Sequence, residues 1–155
     1  GGVRAVRMAQ ARALVPLTPP HTLALWSDVE RWPSFVEGFA RRLELSPDWP
    51  AKGARVVWQS TPDGRGRVTE TVVENDADRF STQVFEEALM GTQTLRAAPA
   101  SGGSEIELTL DYQLAKYGPL GGLADAIFIR RALRDALRRT LFRFAIEAEE
   151  ERSLR

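Results

Sequence analysis

The longest helical signal in the sequence is a run near its C-terminus, residues 119–152. No glycine or proline follows Gly122, and the run is rich in alanine, leucine, arginine and glutamate, which are good helix formers. At about 100° per residue, its apolar side chains fall along one face. That face comprises Ala126, Ile129, Leu133, Leu137, Leu141, Phe144 and Ala148. A helix with so long an apolar face needs an equally broad apolar partner elsewhere in the chain.

The charges on this helix are arranged against its macrodipole. Arginines occupy the first and middle turns, while glutamates crowd the last turns. A helix dipole favours the opposite order by roughly 0.3–1 kcal/mol per charge, so packing of the apolar face must hold the helix. A second, narrow apolar strip of Phe128, Phe142 and Ile146 lies on the other side. This strip predicts a protein interface, with a homodimer as one assembly that would use it.

Composition limits the classes of protein to which the chain can belong. Its 155 residues fit a single domain, residues 1–155, large enough to bury a core. The 21 basic and 21 acidic residues balance, which argues against nucleic acid as a partner. With no cysteine and one histidine, the sequence predicts no disulfide, no metal site and no cofactor. No apolar run is long enough for a transmembrane span, so a cytoplasmic protein is expected.

The rest of the chain has the pattern of strands interrupted once by short helices. Residues 3–17 form a predicted first strand, which two successive prolines end. A short helix is predicted from His21, followed by a second short helix or turn within residues 28–37. Six further strands are predicted at residues 41–45, 54–60, 66–74, 80–86, 92–98 and 105–114.

The spacers between these strands determine the predicted fold. They are short and contain glycine, proline, asparagine and aspartate, which favours an antiparallel meander over βαβ units. Residues 61–64 form a predicted hairpin turn in which Gly64 supplies the positive φ, and two strands are joined near Met90 and Gly91. The predicted class is α+β, with an antiparallel sheet of about seven strands curled around the long helix. A strongly bent sheet cannot touch the helix along its full length, so a cavity is expected between them.

The order of these elements resembles the helix-grip fold of the START/Bet v 1-like superfamily. Three segments carry the resemblance: LWSDVERWPSFVEGF at residues 25–39, the G-x-x-V-x-W pattern of residues 53–58, and GPLGG at residues 118–122. Within the superfamily, the chain is most similar to bacterial polyketide cyclase/dehydrase and lipid-transport proteins. A quinone-binding group of the superfamily also carries an Asp-aromatic-Pro-x-Phe segment, which is similar to residues 28–35 of this chain. The resemblance implies an apolar pocket for a hydrophobic small molecule between the sheet and the long helix.

Three polar residues are candidates for chemistry inside such a pocket. Glu70 shares a strand face with Val68 and Val72, so it could point inward and act as a proton donor or acceptor; if the strand faces the other way, it is solvated. Arg130 could bind a carboxylate or enolate oxygen at the cavity mouth, or rest its stem on the surface with its head in water. Tyr112 ends the apolar face of the last strand, where its hydroxyl either meets a ligand or belongs to the core.

Large apolar side chains are the candidate walls of the pocket, and core packing is the alternative role for each. The candidates are Trp26, Trp32, Phe35, Trp58, Phe85, Leu108, Tyr112 and Phe128. His21 is expected at the surface, and no dinucleotide, Walker or Gly-x-Ser-x-Gly motif occurs. Three functions remain open. They are an enzyme of the polyketide cyclase/dehydrase type with polar groups in its pocket, a carrier of a lipid or quinone with an almost wholly apolar pocket, and a protein-interaction module.

Overall fold

The computed structural model describes residues 6–115 and 122–155, with side chains from residue 126 onward in the second segment. Its seven strands form one antiparallel sheet that packs with the long C-terminal helix, as the sequence predicts. The strands are β1 (Arg7–Val15), β2 (Phe39–Leu45), β3 (Arg55–Ser60), β4 (Arg67–Asn75), β5 (Arg79–Phe85), β6 (Leu89–Ala100) and β7 (Gly103–Leu114). The helices are α1 (Pro19–Ser27), a 3-10 turn (Val29–Arg31), α2 (Trp32–Phe35) and α3 (Gly122–Ser153).

The sheet has the strand order β1-β7-β6-β5-β4-β3-β2, so the first two strands of the chain lie at its opposite edges. The chain crosses from one edge to the other through α1, the 3-10 turn and α2. Helix α3 packs mainly against β1 and α2. The helix is therefore held at one edge of the curved sheet and by the crossover helices, which leaves the middle of the sheet free to face a cavity.

Strand β7 shows most clearly how side-chain alternation forms the inner face. It pairs with both β1 and β6, and its even-numbered side chains all point toward the core. These are Ser104, Ile106, Leu108, Leu110, Tyr112 and Leu114, which are all buried. Glu105 and Asp111, between them, are exposed. Because successive strand residues point to opposite faces, the alternation predicted for this strand from the sequence is confirmed.

The apolar stripe of α3 is buried where it meets other elements. Its five buried members are Ala126, Leu137, Leu141, Phe144 and Ala148. Ile129 and Leu133 are only partly buried because they face the cavity. The ring of Phe144 packs edge-on against both Trp26 and Phe35, with centroids 5.2 and 4.9 Å away. The stripe predicted from the sequence is therefore the surface by which α3 joins the core.

Tertiary ion pairs use the charges of α3 that oppose its dipole. Arg31 donates from Nε to Glu147 Oε1 at 2.8 Å and from Nη1 to Glu151 Oε2 at 3.0 Å. These two hydrogen bonds raise the pKa of the Arg31 guanidinium, so it stays charged. At the middle of the helix, Arg139 and Arg143 both reach the carboxylate of Glu37. The arginine and glutamate clusters thus pin the crossover segment to α3.

The short helices are fixed by local caps. Thr18 is the N-cap of α1, and its side chain accepts a hydrogen bond from the backbone N–H of His21 at 3.5 Å. Asp28 caps the 3-10 turn by accepting from the N–H of Glu30 at 3.1 Å. The indole Nε1 of Trp32 donates to the backbone oxygen of Trp26 at 2.8 Å. The last of these contacts joins Trp26 and Trp32, which both line the space between the sheet and α3.

Two turn predictions are wrong in detail. In the hairpin between β3 and β4, positive φ belongs to Asp63 (66°) and Gly66 (76°), and not to Gly64. No turn lies at Gly91, which is inside β6. A Cβ on Gly91 would lie 2.2 Å from the backbone oxygen of Asp111 on β7, so the glycine is needed for close strand approach rather than for a turn.

Some predicted segments lie partly outside the described residues. This applies to residues 3–5 of the predicted first strand, to residues 119–121 at the predicted start of the long helix, and to residues 118–121 of the GPLGG segment. The remaining predicted strands agree with β2 to β7 to within three residues at each end.

Candidate ligand-binding cavity

A cavity of about 580 Å³ lies between the inner face of the sheet and α3. Its sheet wall includes Leu108, Leu110 and Leu114 of β7, and its mouth lies beside the turns that follow β3 and β5. On α3, Ala132 and Ala136 face it one turn apart. Because alanines leave more space than leucines at these positions, the helix does not fill the curve of the sheet. The volume is within the range of small-molecule sites, about 300–1,000 Å³.

The carboxylate of Glu70 lies on the inner face, where the residue is 4% exposed and lines the cavity. The indole Nε1 of Trp58 donates to its Oε2 at 2.8 Å, and Thr82 Oγ1 donates to its Oε1 at 2.8 Å. Of the two directions considered for Glu70 on β4, the structure therefore has the inward one, with Val68 and Val72. Two donors fix the orientation of the carboxylate, and no cation of the described residues pairs with it.

Gln93 extends this polar group across the sheet. It lies directly opposite Thr82 in the β5–β6 pairing and lines the cavity. Within residues 6–115 and 126–155, its side-chain amide makes no hydrogen bond, so both its N–H and C=O groups are available to a ligand. Gln93 is not among the site residues predicted from the sequence. The sequence does carry a signal for it, because Gln93 alternates with Leu95 and Ala97 and so shares their inward face. The predicted strand begins at residue 92, three residues after the observed start of β6 at Leu89.

An ion pair borders the cavity at its mouth. Arg65, in the turn after β3, donates to the carboxylate of Glu86, which follows β5. Both residues line the cavity, and the Arg65 guanidinium also lies 5.1 Å from the ring centroid of Trp58. This pair links two turns that are 21 residues apart. It adds charge at the entrance and leaves the inner wall mainly apolar.

Some of the predicted wall residues lie at the cavity and others lie elsewhere. Trp26, Trp32, Leu108 and Phe128 line it. Phe35 and Trp58 are completely buried and do not line it, because Phe35 stacks on Trp26 and Trp58 stacks on Phe39. Phe85 is 55% exposed on the outer face of the sheet, since the inward positions of β5 are taken by its neighbours. The expectation that these last three side chains form the cavity wall is corrected.

The other two polar candidates do not line the cavity. Arg130 is exposed, and its Nε donates to the backbone oxygen of Met8 at 3.3 Å, so the surface alternative applies. Tyr112 is fully buried, and its hydroxyl has no hydrogen-bond partner among the described residues. Burial raises the pKa of Tyr112, while the positive charges of Arg7 and Arg130 lower it in part. Tyr112 is thus placed in the core beside the cavity rather than in its lining.

Replacing Tyr112 with phenylalanine should leave the free energy of unfolding near pH 7 unchanged to within about 1 kcal/mol, or raise it, because the hydroxyl makes no bond to the described residues. The folded pKa lies above the unfolded value of about 10, so the stability from the protonated phenol is complete below pH 10 and is lost as the pH rises further. Urea unfolding should show a steeper alkaline loss for wild type than for Tyr112→Phe. Parallel curves would contradict this prediction.

No cluster of metal-ligating side chains occurs in the part of the chain that the structure describes. There, no group of three or more histidine, cysteine, aspartate or glutamate side chains is placed to hold a metal ion.

Among the described residues, no helix is both long and apolar enough to cross a membrane.

Comparison with known families gives a match over most of the chain. The family model described as "Polyketide cyclase / dehydrase and lipid transport" matches residues 8–149. None of the curated protein sequences matches the chain significantly. The family match confirms the resemblance drawn from the sequence motifs.

Solved structures confirm the helix-grip fold. The di-domain aromatase/cyclase StfQ of the steffimycin biosynthetic pathway superposes with a TM-score of 0.77 at 17% identity, covering 96% of this chain and 52% of StfQ. The chain therefore spans about half of that protein. A protein from Thermus thermophilus gives 0.74 at 17% identity, with 94% and 99% covered. Norcoclaurine synthase from Thalictrum flavum gives 0.70 at 12% identity, with 98% and 99% covered.

Proposed function

Because the chain belongs to the polyketide cyclase/dehydrase and lipid-transport family, we propose that its cavity binds a hydrophobic small molecule that carries oxygen groups. The fold of this family and of its Bet v 1-like relatives is a hydrophobic-ligand-binding fold. The apolar walls from β7 and α3 supply the area that such a ligand would bury. The proposed ligand is drug-sized, since it must fit a cavity of about 580 Å³.

The observation that carries this proposal is the buried Glu70 carboxylate on the cavity wall. Burying a carboxylate is costly unless it is hydrogen-bonded, and a ligand hydroxyl or enol would add a third donor to those from Trp58 and Thr82. The free amide of Gln93 would bind a neighbouring carbonyl oxygen. A ligand with a hydroxyl or enol near a carbonyl satisfies both groups, whereas a plain alkyl chain satisfies neither.

This arrangement supports a cyclase/dehydrase-type reaction. In a dehydration, Glu70 would take a proton from the carbon next to a ligand carbonyl, which Gln93 holds by a hydrogen bond. The electron pair of that C–H bond would form the new double bond as the C–O bond breaks. The proton would then pass to the departing hydroxyl, which leaves as water, so Glu70 ends the reaction as it began.

A non-catalytic carrier is the second candidate. It is favoured by the two hydrogen bonds that already occupy both oxygens of Glu70, since these restrict its use as a base. The acidic residues at the mouth are also engaged, with Glu86 bound to Arg65 and Glu37 to two arginines of α3. A carrier would bind the same class of ligand through the same walls but would leave it unchanged.

Titration with hydroxylated aromatic ketones, followed by tryptophan fluorescence, tests binding because Trp26 and Trp32 line the cavity. Glu70→Gln should weaken binding by roughly tenfold or more, the value of a hydrogen bond to a charged group. Its amide can still accept from Trp58 and donate to the Thr82 hydroxyl, so the fold is kept. Glu74→Gln, on the same strand with a half-exposed carboxylate, is the matched control and should bind as wild type does.

Product analysis with a β-hydroxy ketone separates the two candidate functions. An enzyme should convert it, and Glu70→Gln should lower the rate by about 100-fold or more. A carrier should bind the compound and return it unchanged. Equal binding by wild type and Glu70→Gln would contradict the role given to the carboxylate, and no binding of any such compound would contradict the proposal as a whole.

A further inference from the structure

The solvent-exposed face of α3 carries basic side chains at one end and acidic side chains at the other, so an antiparallel second copy of the helix would present the opposite charge at each end. Six side chains form this self-complementary face: Arg138, Arg139, Phe142, Ile146, Glu149 and Glu150. All six are exposed, with Phe142 at 70% and Ile146 at 51%. At 3.6 residues per turn they fall within an arc of roughly 120°. The face therefore presents two arginines, two apolar side chains and two glutamates in that order.

Reversing a second copy of the helix brings opposite charges together. When two copies of α3 run antiparallel about a two-fold axis near residue 144, Phe142 lies opposite Ile146 of the second copy. Arg138 then lies opposite Glu150, and Arg139 opposite Glu149. Each contact occurs twice, as a two-fold interface requires. An apolar centre flanked on both sides by opposite charges is the usual anatomy of a specific interface.

The existing contacts of these charges leave them available to a second copy. Glu150 has no ion pair among the described residues, and Arg138 has only a 4.0 Å approach to Asp135 within the helix. The exposed pair of Arg152 with Glu149 is also within the helix, where such pairs contribute little. Arg139 has a firmer bond, to Glu37 at 3.0 Å, but half of its side chain is exposed. The strongest predicted pair is therefore Arg138 with Glu150.

We propose that α3 forms a reversible antiparallel homodimer through this self-complementary face. A single helix pair buries less than the roughly 800 Å² per partner of a standard interface, so the dimer should dissociate on dilution. Phe128, at the cavity mouth, lies about 21 Å along the helix from Phe142, so it is not part of the apolar centre of the dimer. Arg139 of this face also lines the cavity, but sedimentation measures association and the fluorescence titration measures ligand binding, so failure of one proposal can be told from failure of the other.

Sedimentation velocity over a concentration series tests the dimer by charge reversal. Wild type should sediment faster as its concentration rises, and this association should weaken with added salt. Arg138→Glu and Glu150→Arg should each weaken association at least tenfold, because each places like charges opposite one another. An equimolar mixture of the two variants should restore it, since the two altered positions then pair with opposite charge. Arg134→Glu, an equal charge change on an exposed part of α3 outside the face, is the control.

A second pair of variants tests the apolar centre. Phe142→Ser should abolish association, while Phe85→Ser, at an exposed phenylalanine on the outer face of the sheet, should not. Thermal unfolding of each variant verifies the fold. Wild type that sediments as a monomer at every concentration, or a mixture of Arg138→Glu and Glu150→Arg that associates no better than either alone, would overturn the proposal.

Discussion

Replacing Phe144 with alanine should lower the free energy of unfolding by about 3–5 kcal/mol. The side chain is completely buried, and its ring joins α3 to the rings of Trp26 and Phe35. The substitution removes this aromatic contact and leaves a cavity that the surrounding helices cannot close. For a chain of this length the melting temperature should fall by roughly 10 °C or more. Urea unfolding, followed by circular dichroism, measures the change.

Phe128→Ala is the matched control for this prediction. Phe128 lies on the same helix, but it is 73% exposed at the cavity mouth. Its removal should change the free energy of unfolding by no more than about 0.5 kcal/mol, as for most surface substitutions. Equal losses for the two variants would mean that the apolar stripe of α3 is not what attaches the helix to the rest of the fold.

Replacing Ala136 with tryptophan should abolish ligand binding or weaken it by roughly 10- to 100-fold, while the protein remains folded. Ala136 faces the cavity from α3, and the indole ring would occupy the space that the ligand needs. A ligand could then bind only by forcing the wall apart, which costs about 1–3 kcal/mol in a packed site. The measurement is the same fluorescence titration used for Glu70.

Arg134→Trp is the control for the cavity-filling variant. It adds the same ring to an exposed position of α3 that does not line the cavity, so its affinity should equal that of wild type. If Ala136→Trp also bound ligand with unchanged affinity, the ligand would have to lie outside the cavity. Loss of binding in both variants would show that the added ring acts through something other than cavity space.

The fold was predictable because two periodic patterns in the sequence agree with each other. The stripe from Ala126 to Ala148 has the period of a helix, and the alternation in β7 has the period of a strand. Each pattern requires an apolar partner, and buried residues of both belong to one hydrophobic core. Such patterns depend on many residues, so errors of a few residues at element ends do not alter them.

The site was less predictable because each residue's role depends on facing and on distant partners. Glu70 and Phe85 lie on adjacent strands, and an error of one residue in facing exchanges the cavity for solvent. Alternation correctly grouped Glu70 with two buried valines. For Phe85, hydrophobicity alone suggested the interior, although Phe80 and Val84 already occupy the inward positions of β5.

Long-range contacts account for the remaining differences. Nothing near Trp58 in the sequence indicates that its indole would bind Glu70, or that Arg65 would lie over its ring and pair with Glu86. Hydrophobicity alone therefore places Trp58 on the cavity wall, whereas the residue does not line the cavity and donates a hydrogen bond to the Glu70 carboxylate. Gln93 was missed for a related reason, because its importance comes from its place opposite Thr82 on the neighbouring strand.

Native mass spectrometry of wild type and Ala136→Trp, prepared side by side and mixed with the same panel of oxygenated aromatic compounds, tests the central claim most directly. Wild type should carry one bound molecule, either from the panel or retained through purification, and extraction should identify it as hydrophobic with oxygen groups. Ala136→Trp should appear at its unliganded mass. An unliganded mass for both proteins with every compound would contradict the claim that this cavity is a ligand-binding site.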